Sequence, residues 1–202
     1  MITCAIPTGR LGKQTLELLN NKNITESLIE PGRQLQIQDK TSNMTFLFVK
    51  PSDVITYVTS GLADIGIVGS DVIEETKADL YELLDLNIGQ CQMIVAGFDQ
   101  KTYQESDHLV VSTKFVNTAL DFFKNRHQTI DIKKLNGSVE LAPIISLSDV
   151  IVDITETGKT LKENGLHIFD TISKVSARLI CNQASFYLKQ QTIHSLKERL
   201  SL

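Results

Sequence analysis

The chain has 202 residues, 42% of them apolar, which is enough for one domain or two small lobes with a sizeable buried core. Lys and Arg number 20 against 24 Asp and Glu, a formal net charge of -4, and no basic block stands out, so a nucleic-acid duplex is excluded as the expected partner. No apolar run is long enough to cross a bilayer, and "MITCAIPTGR" lacks the charged and apolar regions of a signal peptide, so no membrane association and a cytoplasmic location are expected.

Short apolar runs alternate with helical patterns along the chain. "ITCAIP" (Ile2–Pro7) predicts a strand and "LGKQTLELL" (Leu11–Leu19) a helix with one apolar stripe. "QLQIQ" (Gln34–Gln38) and "TFLFV" (Thr45–Val49) predict strands. "PSDVITYVTSG" opens with Pro51 and closes with Gly61, residues suited to the first turn and the end of a short helix. "ADIGIVG" (Ala63–Gly69) is a further strand. "CQMIVAGF" (Cys91–Phe98) and "LVVST" (Leu109–Thr113) follow as strands, with a polar surface loop, Asp99–His108, between them. Phe115–Arg126 predicts a helix, Asp149–Ile154 a strand, Gly158–Gly165 a short helix and Ala177–Asn182 the last strand. Phe186–Leu200 closes as one amphipathic helix with Phe186, Ile193, Leu196 and Leu200 on its stripe. The alternation predicts an α/β fold with largely parallel sheets. Without a linker of low complexity, any boundary between lobes is crossed by ordinary strands, placed near Gly89–Gln92 and Arg178–Asn182.

Cys4, Cys91 and Cys181 are odd in number and far apart, so they are read as buried thiols rather than a disulfide framework. His108, His127, His167 and His194 show no metal-ligand spacing, and no metal site held by protein alone is expected.

The stretch "IVDITETGKTL" (Ile151–Leu161) carries the most chemistry. Gly158-Lys159-Thr160 matches the end of a nucleotide-binding P-loop, but Asp153 stands where that motif needs its first glycine, and a carboxylate there opposes an anion. A different phosphate site fits: a strand end, a short loop and a helix beginning near Gly158, whose unpaired N–H groups and threonine hydroxyls can donate to an anion. In the plainer alternative Thr157 is only an N-cap.

At these residues the chain resembles the short form of ATP phosphoribosyltransferase, the first enzyme of histidine biosynthesis. The resemblance runs from "AIPTGRL" through "GLADIGIVGSDV" (Gly61–Val72), "LNGSVELAP" (Leu135–Pro143) and "VDITETGKTL" (Val152–Leu161) to "SARLICNQAS". It implies transfer of phosphoribosyl from phosphoribosyl pyrophosphate to N1 of ATP, releasing pyrophosphate, with substrate-bound Mg²⁺ near Asp153 as cofactor. The implied fold is α/β, two-lobed and periplasmic-binding-protein-like (type II), with the active site in the inter-lobe cleft. Lobe I is then residues 1–90 plus 180–202, and lobe II, residues 91–179, carries the phosphate loop. By the same resemblance Glu156, Thr157, Gly158, Lys159 and Thr160 hold the 5-phosphate, Asp153 lies by the ribose and Glu140 faces the same ligand. Arg10, Arg33 and Lys50 are the implied catalytic cations.

Three positions depart from the family pattern. Lys50 stands where Arg usually precedes Pro, Ser70 where Lys is usual, and Gln92 where Arg is expected. Lys at position 50 keeps the charge and loses the planar bidentate fork. Long members carry a C-terminal histidine-binding domain, for which this chain has no room. The expected assembly is a homodimer that joins a catalytically silent, histidyl-tRNA-synthetase-like regulatory subunit. Two rivals stand beside this reading: a solute-binding protein of the same fold, and a catalytically weakened subunit.

Overall fold

The computed structural model describes residues 1–30 and 32–201. The chain divides into two compact units, Met1–Gly89 with Ser176–Leu202, and Gln90–Val175. The second crossing therefore lies at Val175/Ser176, ahead of the expected 178–182, because the whole of the last strand pairs within the first unit's sheet. Leu202, the last residue of the expected lobe I, lies outside the described residues.

The first unit begins with β1 (Ile2–Pro7), α1 (Arg10–Asn21), β2 (Gln36–Asp39) and β3 (Met44–Val49). A 3-10 turn at Pro51–Asp53 leads into α2 (Val54–Thr59), β4 (Ile65–Gly69), α3 (Ser70–Thr76) and β5 (Tyr81–Asp85). The second unit contains β6 (Cys91–Gly97), α4 (Gln100–Glu105), β7 (His108–Thr113), α5 (Val116–Asn125) and β8 (Thr129–Lys134). It continues through α6 (Leu141–Ile144), β9 (Val150–Thr155), α7 (Lys159–Glu163) and β10 (His167–Val175). The chain returns to the first unit as β11 (Ala177–Cys181), α8 (Gln183–Leu188) and α9 (Gln190–Ser201).

Sheet order is β2-β3-β1-β4-β11-β5 in the first unit and β10-β6-β9-β7-β8 in the second. The sheets are mixed rather than largely parallel. β1 runs parallel to β3 and β4, and β7 parallel to β8 and β9, while β2, β11, β5, β6 and β10 pair antiparallel. The apolar runs legible in sequence are the interior strands of the two sheets, since a strand covered on both faces has no polar side. In β9, Val150 and Val152 enter a core with Met93, Val111 and Phe123, while Ile151 enters another with Ile94, Leu161 and Leu166. This is the two-residue alternation of a strand serving opposite faces.

Two expectations change. Asp99–His108 is not simply a surface loop: it forms α4, capped by Asp99, whose carboxylate accepts from the Lys101 N–H at 2.9 Å, and it buries Tyr103. The terminal helix is interrupted at Lys189, whose ammonium donates to Asp64 at 2.7 Å and to the Met1 carbonyl at 3.1 Å. Phe186 thus belongs to α8, whereas Ile193, Leu196 and Leu200 form the buried stripe of α9.

Candidate functional site

In the second unit, β7, β8 and β9 run parallel and end at the same edge, so the loops that follow them gather there. Buried Thr113 fixes this edge: its hydroxyl donates to the Val152 carbonyl at 2.6 Å and accepts from the Phe115 N–H at 2.8 Å. The segment after β8 brings Glu140 to the N-cap of α6, and β9 delivers Asp153. Both line a concavity of about 240 Å³ with Thr155, Glu156, Thr157, Lys159 and Thr160. Glu140 forms no ion pair among the described residues, so it is not a turn acid held by a nearby Lys.

Asp153 sits inside β9, paired with Ile94 of β6, so the position a P-loop needs for its first glycine is extended strand. The turn spans only Glu156–Gly158 before α7. It is closed by its threonines. The Gly158 N–H donates to Thr155 Oγ1 at 3.0 Å, and the Lys159 N–H to Thr157 Oγ1 at 3.4 Å. The N-cap of α7 is Gly158 rather than Thr157, and no side chain caps it. Gly158 has φ +68°, a conformation that disfavours any side chain by roughly 1–2 kcal/mol. Space is not what excludes one, because a Cβ there would meet only Ile168 at 3.7 Å. Thr155 belongs to the loop read from the sequence, but that reading assigns it no role. Its signal was the T-x-x-G spacing, which lets a hydroxyl reach an N–H three residues on.

The first unit gathers cations at one sheet edge. β1 and β3 are parallel and end level, Pro7 opposite Val49. Arg10 opens α1 just past β1, and exposed Lys50 follows β3 directly. Arg33 precedes β2, which runs antiparallel to β3. The Leu35 carbonyl accepts from the Phe48 N–H at 2.9 Å, so Arg33 belongs to the same edge. Gly12 sets how closely α1 approaches this edge: a Cβ on it would lie 1.9 Å from the Pro7 carbonyl oxygen. Ser70, after β4, is buried instead. Its hydroxyl accepts from the Ser176 N–H at 3.4 Å, so this position secures the returning chain.

Burial pushes the Cys4 thiol up to about 12 and the Cys181 thiol up to about 11, with the nearby Asp64 charge adding to both. Neither forms a thiolate near neutral pH, so neither serves as a nucleophile. Cys91 is half-buried rather than buried.

The family described as "HisG: ATP phosphoribosyltransferase" matches residues 50–202. The chain belongs to this family. An ATP phosphoribosyltransferase of Hydrogenobaculum sp. is 49% identical, over 100% of this chain and 99% of that relative. One from Aquifex aeolicus is 46% identical, over 99% and 94%. The solved ATP phosphoribosyl transferase (HisG:HisZ) complex from Thermotoga maritima contains a chain that superposes with a TM-score of 0.86 at 35% identity, covering 100% of this chain and 97% of that one. A protein bound to L-arginine (Tv2483) superposes with a TM-score of 0.62 at 14% identity, over 98% of this chain and 84% of its own. The substrate-binding protein of an amino acid ABC transporter does so at 0.61 and 12%, over 99% and 91%. These last two share the fold alone, the type II periplasmic-binding-protein fold. The chain is thus an ATP phosphoribosyltransferase by family. It joins phosphoribosyl pyrophosphate and ATP to give phosphoribosyl-ATP, the first step of histidine biosynthesis.

Proposed function

We propose that Glu156, Thr157, Gly158, Lys159 and Thr160 hold the 5-phosphate of phosphoribosyl pyrophosphate, with Asp153 at its ribose and Glu140 beside the same ligand. The observation that carries this reading is the concavity in which the loop, Asp153 and Glu140 meet. Arg10, Arg33 and Lys50 bring positive charge to the pyrophosphate and to ATP, which is bound as the second substrate. In the reaction the lone pair of adenine N1 forms a bond to ribose C1. The C1–O bond breaks, and its electron pair leaves on pyrophosphate. The ribose passes through an oxocarbenium-like state, so fixed cations and positioning supply most of the stabilisation. The nucleophile belongs to ATP, which agrees with the protonated state of the buried thiols.

Mg²⁺ enters this scheme as part of the substrate, neutralising pyrophosphate charge. Among the described residues no group of three His, Cys, Asp or Glu converges to hold a metal. Asp153, which lines the concavity, is the carboxylate beside this substrate-borne ion.

The proposed assembly is a cytoplasmic homodimer that joins a histidyl-tRNA-synthetase-like regulatory subunit. Support for the partner comes from the HisG:HisZ complex of Thermotoga maritima. No helix among the described residues is long and apolar enough to cross a membrane.

The loop assignment is tested by Gly158→Asp. A like charge at contact distance costs several kcal/mol, so calorimetric affinity for phosphoribosyl pyrophosphate should fall at least about 100-fold while the circular dichroism spectrum is kept. Unchanged affinity in a folded variant refutes the assignment.

A further inference from the structure

The concavity beside the loop is poor in positive charge for a phosphate site. Glu140, Asp153 and Glu156 line it against a single cation, Lys159, whose ammonium lies 3.8 Å from the Glu163 carboxylate. Carboxylates outnumber cations three to one among the side chains that line it, so a further cation close by would strengthen the hold on a phosphate dianion.

Strand register identifies a source. Thr155 of β9 pairs with Gln92 of β6, and Gln92 pairs with Lys174 of β10. Directly opposed residues of antiparallel strands project to the same face of the sheet. That face is the one carrying the loop. The next row inward contains Asp153 and Ile94, which line the concavity, and the Thr155 hydroxyl accepts from Gly158 within the loop. Two strand spacings put Lys174 about 9–10 Å from Thr155, and its flexible four-carbon stem covers most of that span. Gln92 between them is uncharged and exposed, leaving the path over it open to an ammonium. Lys174 is exposed and forms no ion pair among the described residues.

We propose that Lys174, reaching across Gln92, is a further contact for the phosphate held by the Thr155–Thr160 loop. The proposal rests on the loop assignment above and adds a cation from the edge strand of the same sheet. Lys174 adds a second positive charge to that of Lys159, and Gln92 supplies an amide donor beneath it.

The experiment compares wild type, Lys174→Ala, Lys174→Arg and Gly158→Asp by calorimetry with two probes, phosphoribosyl pyrophosphate and ribose 5-phosphate. Lys174→Ala should weaken both about tenfold, in keeping with loss of one charge-assisted contact, and leave the KM for ATP unchanged. Lys174→Arg should restore affinity to within about threefold, because the charge is kept. Added salt should weaken wild type more steeply than Lys174→Ala. Unchanged affinity in Lys174→Ala, with binding lost in Gly158→Asp, overturns the proposal and leaves Lys174 as a charge that keeps an edge strand from pairing. A loss seen with phosphoribosyl pyrophosphate alone also overturns it, since Lys174 would then face the pyrophosphate end. If Gly158→Asp binds both probes normally, the loop assignment fails, and this proposal fails with it.

Discussion

Thr155 and Gly158 are joined by a hydrogen bond of 3.0 Å that ties the turn before α7 back to the last residue of β9. The donor is an N–H that a phosphate would otherwise find unpartnered, and the acceptor is a hydroxyl able to rotate and donate in turn. The loop is therefore held in shape before an anion arrives. Thr155→Val keeps the side-chain volume and removes the acceptor. A hydrogen bond of this kind contributes about 1 kcal/mol, so the KM for phosphoribosyl pyrophosphate should rise about fivefold, with the KM for ATP unchanged. Equal rises in both constants would show that the bond stabilises the fold rather than the phosphate site.

Lys50 extends directly from the end of β3, is exposed, and forms no ion pair among the described residues. If it faces developing charge on pyrophosphate, Lys50→Ala lowers kcat by roughly 100-fold, in the range of losing one preorganised donor. Lys50→Arg retains or raises turnover, because the planar fork binds phosphate bidentately. Steady-state kinetics at saturating substrate decides this: wild-type kcat in Lys50→Ala would reduce Lys50 to a surface charge.

Asp64 anchors the terminal segment. Its carboxylate accepts from the Lys189 ammonium at 2.7 Å, the Ser185 hydroxyl at 2.6 Å and the Thr3 N–H at 2.8 Å. Burial alone would raise its pKa, but these donors and the Lys189 charge outweigh burial and hold it below the ordinary carboxylate range. A depressed folded-state pKa means stability that is fully present above the unfolded value, about 3.9, and lost as pH falls through the folded one. Removing one partner of such a pair costs roughly 3 kcal/mol, so Asp64→Ala should lower the urea midpoint at pH 7. The gap between wild type and variant should close as the pH falls below the folded value. A gap constant down to pH 2 would show that the anchor does not titrate.

The proposed partner is open to a direct titration. Mixing the purified chain with the histidyl-tRNA-synthetase-like subunit should raise activity, and histidine should inhibit only the mixture. Coupling between the two sites then requires that histidine binding and substrate binding weaken each other by the same factor. Strong inhibition of this chain alone would overturn the assignment of regulation to the partner.

The amino-acid sequence by itself determined the buried strands and the loop. β1 and β3, with the cores of β4, β6, β7, β9 and β11, are legible as apolar runs, because strands covered on both faces need apolar residues throughout. The loop Thr155–Thr160 was legible because its chemistry lies within six consecutive residues. Tertiary structure decided what is not local. The unpredicted strands β5, β8 and β10 are all sheet edges, where polar and charged residues such as those of "TIDIKK" protect an open ladder and mask the strand signal. The break at Lys189 in the expected terminal helix coincides with its ion pair to Asp64, far away along the chain. Glu140 meets the loop, and Lys174 shares a row with Thr155, only because β8, β6 and β10 pair in one particular order and register. Composition and periodicity report which face of a strand is buried. Which strand lies beside which is set by hydrogen-bond ladders between distant segments, and a slip of one residue would turn Lys174 to the opposite face.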